Sequence, residues 1–267
     1  MSTHTAFSGS VPTIYHAHLG PLYFAPYARD LVRRIPKTQG AHVLELACGT
    51  GVLTSELVAA FDDSAMITAT DLNEGMIAVA RTHVRSPVVR WRTADATDLP
   101  FADRAFDLAV CQFGVMFFPD KVAAAHQARR VLRDGGQWWF NVWGTLAENP
   151  VPRVANETVN GFFVSDPPAF YQVPHGYSDP ARIADDLRRG GFAGVTIETV
   201  DLEGHAPSAE HAAIGVVLGS PVVHAIRERA TVPPETIVQA VAAALAREFG
   251  RDEIRFPMRA HVVTAHS

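Results

Sequence analysis

Cysteine is scarce: Cys48 and Cys111 are the only two in 267 residues. Both fall in apolar, strand-like segments. One pair supplies neither a disulfide framework nor a metal-binding set, so free thiols in a reducing compartment are expected. No apolar run reaches the roughly 20 residues of a membrane-spanning helix. The opening MSTHTAFSGSVPTIYHAH lacks the charged start and apolar core of a secretory signal. The expectation is a soluble, cytoplasmic protein with no membrane span. Positive charge is also short, with 23 Lys and Arg against 28 Asp and Glu, a formal charge of −5. Phosphate binding needs clustered cations, so nucleic acid is not the expected partner. Internal repeats and low-complexity tracts are lacking, which excludes a solenoid.

Hydrophobic residues make up 48% of the chain, enough to bury the core of one large α/β domain with a lid. The spacing predicts an amphipathic helix over 22–35, with Pro26 near its start. Strands are expected at 42–47, 66–72, 88–94, 106–113 and 136–143, with helices at 52–61, 74–85 and 120–132 between them. Asn73 is the expected cap of the 74–85 helix, and Gly135-Gly136 the stop of the 120–132 helix. Such alternation means right-handed βαβ units and a parallel sheet. Residues 146–180 are rich in proline and aromatics and read as an irregular lid. A helix at 180–190 and a strand at 195–202 follow, then helical pieces over 208–250 and a final strand at 255–266. The Ala- and Val-rich helices of 208–250 suit either a cap over the active site or a homodimer face.

VLELACGTGVLT (43–54) is an apolar strand, a G-x-G turn and the start of a helix. Such a turn brings backbone N–H groups to the carboxyl end of a parallel sheet, where open α/β sheets bind ligands. The dinucleotide fingerprint needs Gly or Ala at its sixth position, where this chain has Thr54. Glu45 stands four residues before Gly49, and a strand-end carboxylate suits a cation better than a pyrophosphate. S-adenosylmethionine carries an ammonium and a sulfonium and no phosphate. Asp71, at the end of the second strand, is placed to accept both ribose hydroxyls. Asp95 and Ala96, after the third, are placed to read adenine by carboxylate and N–H, with Leu72 and Met76 against its faces. Each has a plainer reading too: Asp71 as a helix cap, Asp95 as an Asx-turn.

VLELACGTG, ATDLNEGMIAVAR, ADATDLPFADRAFDLAVCQFGVMFFPD and ARRVLRDGG resemble a class I S-adenosylmethionine-dependent methyltransferase. The likeness is to the small-molecule enzymes of ubiquinone and menaquinone biosynthesis. It implies a Rossmann-like, doubly wound sheet of seven strands with only the last antiparallel. It also implies a single domain: N-terminal cap helices (1–40), a cofactor core (41–145), lid and substrate insertions (146–180 and 203–254) and the final strand (255–267). The cofactor would lie among Glu45, Ala47, Cys48, Gly49, Thr50, Gly51, Asp71, Asp95 and Ala96 and leave as S-adenosylhomocysteine. Ala47 departs from the family, where glycine is frequent. Residues 146–254 lie outside the shared motifs, so the resemblance does not carry substrate choice.

Methyl transfer depends mainly on holding a nucleophile in line with the methyl–sulfur bond. Gln112 and Phe113, after the fourth strand, are expected beside the methyl group, with Gln112 orienting a substrate oxygen or the methionine end of the cofactor. The [D/N]-P-P-[Y/F] motif of amino-group methyltransferases is missing there, and DPPAF (166–170) reads as a turn of the lid. Tyr15 is expected to close the cofactor pocket. His16 and His18, two apart and expected in a strand, lack a third residue nearby to complete a metal site. His16 and His175 are candidate general bases, each also open to a structural role. Phe24, Phe117, Trp143, Tyr171, His175 and Tyr177 are expected to line a pocket for an aromatic or quinone-like acceptor. The favoured function is methyl transfer to oxygen or carbon rather than nitrogen of a small molecule. Two alternatives stand: an NAD(P)-dependent oxidoreductase, disfavoured by Thr54 and by the lack of a Tyr-x-x-x-Lys pair, and a non-catalytic, cofactor-binding regulatory subunit.

Overall fold

The computed structural model describes residues 7–267, so the parts of the N-terminal cap and opening that involve residues 1–6 lie outside the described residues. Strands β1 (His42–Leu46), β2 (Met66–Asp71), β3 (Val89–Thr93), β4 (Phe106–Gln112), β5 (Leu132–Trp143), β6 (Gly194–Ser208) and β7 (Asp252–His266) form one sheet. Their order is β3-β2-β1-β4-β5-β7-β6. β7 runs antiparallel to both neighbours, and the pairs from β3 across to β5 are parallel. The expected doubly wound sheet, with the last strand alone reversed, is the one observed.

The helices are α1 (Val11–Ile14), α2 (Ala25–Arg34), α3 (Val52–Ala60), α4 (Glu74–His83), α5 (Lys121–Val131), α6 (Pro150–Asn160), α7 (Gln172–His175), α8 (Pro180–Arg189), α9 (Ala209–Leu218), α10 (Val222–Arg229) and α11 (Pro234–Phe249). A π-helix (Tyr15–Phe24) joins α1 to α2. Helix starts follow local chemistry: Asp120 accepts the Ala123 N–H at 2.9 Å, and Asp179 accepts that of Ala181 at 2.9 Å. No single helix among the described residues is long and apolar enough to cross a membrane.

Val43, Leu44, Glu45 and Leu46 of β1 are all buried. Successive strand residues point to opposite faces, so both faces of the sheet are covered. Tyr27 of α2, fully buried, places its hydroxyl 3.0 Å from the Val200 carbonyl and 2.9 Å from that of Met258. That ties the N-terminal helices to β6 and β7. The order reverses between β1 and β4, which opens a crevice outside their carboxyl ends.

Three expectations need correction. His16 and His18 lie in the π-helix, not in a strand. Pro21 has no N–H to donate and would crowd the carbonyl one α-turn back, a conflict that the wider π-register eases. The 146–180 segment is not irregular throughout: α6 fills 150–160, because Pro150 sits in a first turn, where a missing N–H costs nothing. Gly135 and Gly136 do not end α5, which stops at Val131. They lie in a bulge of β5 between Leu132, paired with Phe106, and Gln137, paired with Leu108.

Candidate functional site

The loop after β1 turns through Ala47, Gly49 and Gly51, with φ of 51°, 56° and 83°. A Cβ on Gly51 would sit 3.1 Å from Ala80 Cβ, so the loop presses on α4. The loop after β4 meets it closely: a Cβ on Gly114 would fall 2.5 Å from Ala47 Cβ and 2.8 Å from Cys111 Sγ. Ala47 therefore holds a left-handed conformation that favours glycine.

Two carboxylates close this crevice. Glu45, 1% exposed, accepts from Thr54 Oγ1 at 2.7 Å. Burial pushes its pKa up to about 8; the Thr54 bond opposes that rise and the nearby charge of Asp71 adds to it. Asp71 accepts the Gly49 N–H at 2.9 Å and the Asn73 N–H at 2.8 Å. Burial raises its pKa as well, against the pull of those N–H groups. Among the described residues neither carboxylate forms an ion pair with Lys, Arg or His.

Two cavities share one wall. A pocket of about 20 Å³ is lined by Glu45, Ala47, Cys48, Gly49, Thr50 and Gln112 of the crevice, together with Tyr15 and Phe24. Tyr15 and Phe24 also line a cavity of about 100 Å³ with Phe113, Phe117, Trp143, Tyr171 and His175. The rings of Tyr15 and Phe24 stack at 4.9 Å. Gln112 Nε2 donates to the Phe24 carbonyl at 2.7 Å, latching the end of the π-helix to β4. Phe113 (φ 50°) stacks on Trp143 at 3.7 Å with 6° between planes, which makes one side of the larger cavity flat. His175 Nδ1 lies 2.8 Å from the Gly144 carbonyl, and burial lowers its pKa to about 4. Its ring is therefore neutral near pH 7, with Nδ1 donating and Nε2 bearing the lone pair.

Several expected residues line neither cavity. His16 stacks on His83 at 3.7 Å and lines neither cavity. Tyr177 also lines neither: its hydroxyl donates to Asp186 at 3.0 Å, and Lys121 sits over its ring. Asp95 is exposed and accepts from the Thr97 N–H at 2.8 Å, the Asx-turn of its plainer reading. Ala96 and Met76 are buried, whereas Leu72 is 40% exposed. DPPAF runs over the surface, with Asp166 paired to Arg229, and delivers Phe170 to the larger cavity.

Thr54 and Tyr23 were not anticipated. Thr54 served only to disfavour a dinucleotide; its position one turn into α3 was the available signal. Tyr23 lines the larger cavity, and its buried hydroxyl has no partner. Leaving such a group unpaired costs roughly 1–3 kcal/mol. The sequence holds no signal for that, because it depends on which side of a π-helix faces inward.

The residues of the smaller pocket fit S-adenosylmethionine by chemistry. Glu45, buried in its wall without a cation, matches an ammonium, and Asp71, bonded to the N–H of the pocket's Gly49 from the end of β2, matches a ribose diol. Thr50, in the glycine loop, adds a buried hydroxyl that has no partner. Among the described residues no group of His, Cys, Asp and Glu is arranged to hold a metal.

A family model described as a methyltransferase domain matches residues 43–136. The demethylmenaquinone methyltransferase of Mycolicibacterium paratuberculosis is 33% identical over 171 residues, covering 58% of this chain and 69% of the relative. The O-methyltransferase cnsE of Penicillium expansum is 28% identical over 180 residues, covering 64% of this chain and 59% of that protein. The chain spans about half the length of several such curated relatives. Among solved structures, phosphoethanolamine N-methyltransferase 2 of Haemonchus contortus with S-adenosyl-L-methionine superposes with a TM-score of 0.63. It is 15% identical and covers 100% of this chain and 60% of that one, a likeness of fold alone. A methyltransferase-domain match over residues 43–136 and a relative 33% identical and covered over 69% of its length show that the chain belongs to the class I S-adenosylmethionine-dependent methyltransferases.

Proposed function

We propose that this chain moves a methyl group from S-adenosylmethionine to an oxygen or carbon, rather than a nitrogen, of a small aromatic or quinone-like molecule in the cytoplasm. One observation carries the reading: Tyr15 and Phe24 line both the carboxylate pocket and the aromatic cavity, so donor and acceptor chambers meet at a single wall. When bound, S-adenosylmethionine supplies a sulfonium-activated methyl group and leaves as S-adenosylhomocysteine. Glu45 holds the ammonium and Asp71 the ribose, with Asp95, Ala96, Leu72 and Met76 around the adenine. Gln112 fixes the position of Phe24, and Tyr15 screens the reacting centre from water.

His175 has a limited role as a base. A phenol with a pKa of roughly 10 lies about 6 units above a ring at about 4, so full proton transfer before reaction is uphill by roughly 8 kcal/mol. Nε2 accepts the hydroxyl proton as a hydrogen bond and takes it only as the new bond to oxygen forms. The names of the relatives, one for O-methyl transfer and one for demethylmenaquinone, agree with oxygen or carbon as the target.

The test is release of S-adenosylhomocysteine over a panel of phenols, hydroquinones, amines and carboxylates. Turnover of a phenol or hydroquinone is expected. Tight binding of S-adenosylmethionine with no turnover on any acceptor would instead favour a non-catalytic subunit.

A further inference from the structure

We infer that the acceptor is an uncharged, single-ring aromatic that carries a hydroxyl, read by Tyr23 and His175; this rests on the methyl-transfer reading above. Among the described residues, no Asp, Glu, Lys or Arg lines the larger cavity. A charged acceptor would be desolvated there without a partner, a strongly unfavourable exchange. The volume of about 100 Å³ is of the order of the roughly 150 Å³ cavity that accepts a benzene ring. The stacked Phe113 and Trp143 give that ring a flat surface.

Three polar side chains of the wall, Tyr171, Ser220 and Asn149, are engaged with backbone groups, while Tyr15 belongs to the wall shared with the cofactor pocket. Tyr171 donates to the Val216 carbonyl at 2.9 Å, and Ser220 donates to it at 2.6 Å. The Asn149 amide donates to the carbonyls of Thr145 and Arg259 and accepts the Arg259 N–H. Tyr23 Oη remains as a donor without a partner, and His175 keeps Nε2 as an acceptor while Nδ1 serves Gly144. Both rings lie beside Trp143, with centroids 5.8 Å and 6.2 Å away. A hydroxyl suits such a pair, since it both accepts and donates. A carboxylate would meet the His175 lone pair, and an ammonium would find no counter-charge.

The test loads the protein with S-adenosylhomocysteine by calorimetry and then titrates p-cresol, toluene or 4-methylbenzoate. p-Cresol is expected to bind most tightly. Tyr23→Phe should weaken p-cresol by about 3- to 10-fold and leave toluene unchanged, the range that one net hydrogen bond gives. His175→Asn, whose amide still donates to Gly144, should do the same. Equal losses for toluene and p-cresol, 4-methylbenzoate binding as tightly as p-cresol, or no binding of any of the three overturns the inference. The first step separates the two readings: failure to bind S-adenosylhomocysteine removes the methyl-transfer reading and this inference with it. Lost discrimination with S-adenosylhomocysteine bound removes only the inference.

Discussion

Thr54 Oγ1 donates to Glu45 Oε2 at 2.7 Å inside the protein, so the residue that breaks the dinucleotide fingerprint supports the carboxylate proposed to hold the cofactor's ammonium. Glu45→Gln keeps an acceptor for Thr54 and removes the charge. Breaking a buried charge pair costs roughly 3–5 kcal/mol, so affinity for S-adenosylmethionine should fall at least about 100-fold by calorimetry. Thr54→Ala should cost about 10-fold, the lower end for a hydrogen bond to a charged group. Unchanged affinity in both variants would remove Glu45 from the site.

The pH dependence of binding follows from the same carboxylate. Without ligand, Glu45 titrates at about 8, and an ammonium beside it favours the ionised form. Binding below pH 8 must therefore expel a proton, and affinity should fall by up to roughly tenfold per pH unit as the pH drops. Above about 8 the ligand's own amino group loses its proton, so affinity should peak near 8. For the ligand-free protein the sign is opposite. Its folded-state pKa is raised from 4.5, so the stabilising effect of the bound proton is complete below 4.5 and lost as the pH rises through 8. Titrations in two buffers of different ionisation enthalpy, with melts across pH 5–9, read both effects; a flat pH profile in each contradicts them.

Ala47 and Gly114 set up a paired backbone test. A left-handed non-glycine residue costs roughly 1–2 kcal/mol, partly offset by the extra freedom glycine has when unfolded. Ala47→Gly should raise Tm by about 2–4 °C. Gly114→Ala should lower stability by about 1–3 kcal/mol, since its Cβ would overlap Ala47 Cβ and Cys111 Sγ. Combining the two should recover part of that loss, because Ala47→Gly removes the nearer clash. Strict additivity in urea unfolding would show that the two loops are not in contact.

Entry to the site should be gated. The pocket at the glycine loop holds about 20 Å³, room for roughly one water, and Tyr15 and Phe24 cover it. On the proposed reading the methionine end of the cofactor, which reaches Glu45, displaces that cover. In stopped-flow mixing the observed binding rate should level off with rising S-adenosylmethionine. Gln112→Ala, which removes the 2.7 Å latch to the Phe24 carbonyl, should raise the plateau several-fold. A rate that stays linear in concentration in both proteins would mean that the cover does not limit entry.

Features that depend on local spacing were legible from the sequence. The alternation of strands and helices gave the sheet, the G-x-G turn gave the crevice, and Asp71 fell at a strand end because β2 had a clear apolar pattern. Features that depend on what meets what through space were not. The proline content of 146–180 reads as irregular, but a proline in a first turn starts a helix as readily as one elsewhere ends it, and Pro150 starts α6. The π-helix is apolar nearly all round, so its sequence carries little periodicity to read. Tyr177 shared an aromatic, proline-rich neighbourhood with Phe170 and Tyr171, but only its approach to Asp186 shows that it turns away from the cavity.

The pairing of Glu45 and Asp71 as a grip on a cationic nucleoside is tested most directly by thermal unfolding with S-adenosylmethionine, S-adenosylhomocysteine or NAD(P)H, in the native chain and in Asp71→Ala. At 100 times its Kd, either sulfur nucleoside should add about 2.7 kcal/mol to the native chain and far less to Asp71→Ala, each measured against its own ligand-free melt. NAD(P)H should add nothing to either. Stabilisation by NAD(P)H alone, or an undiminished response in Asp71→Ala, would contradict it.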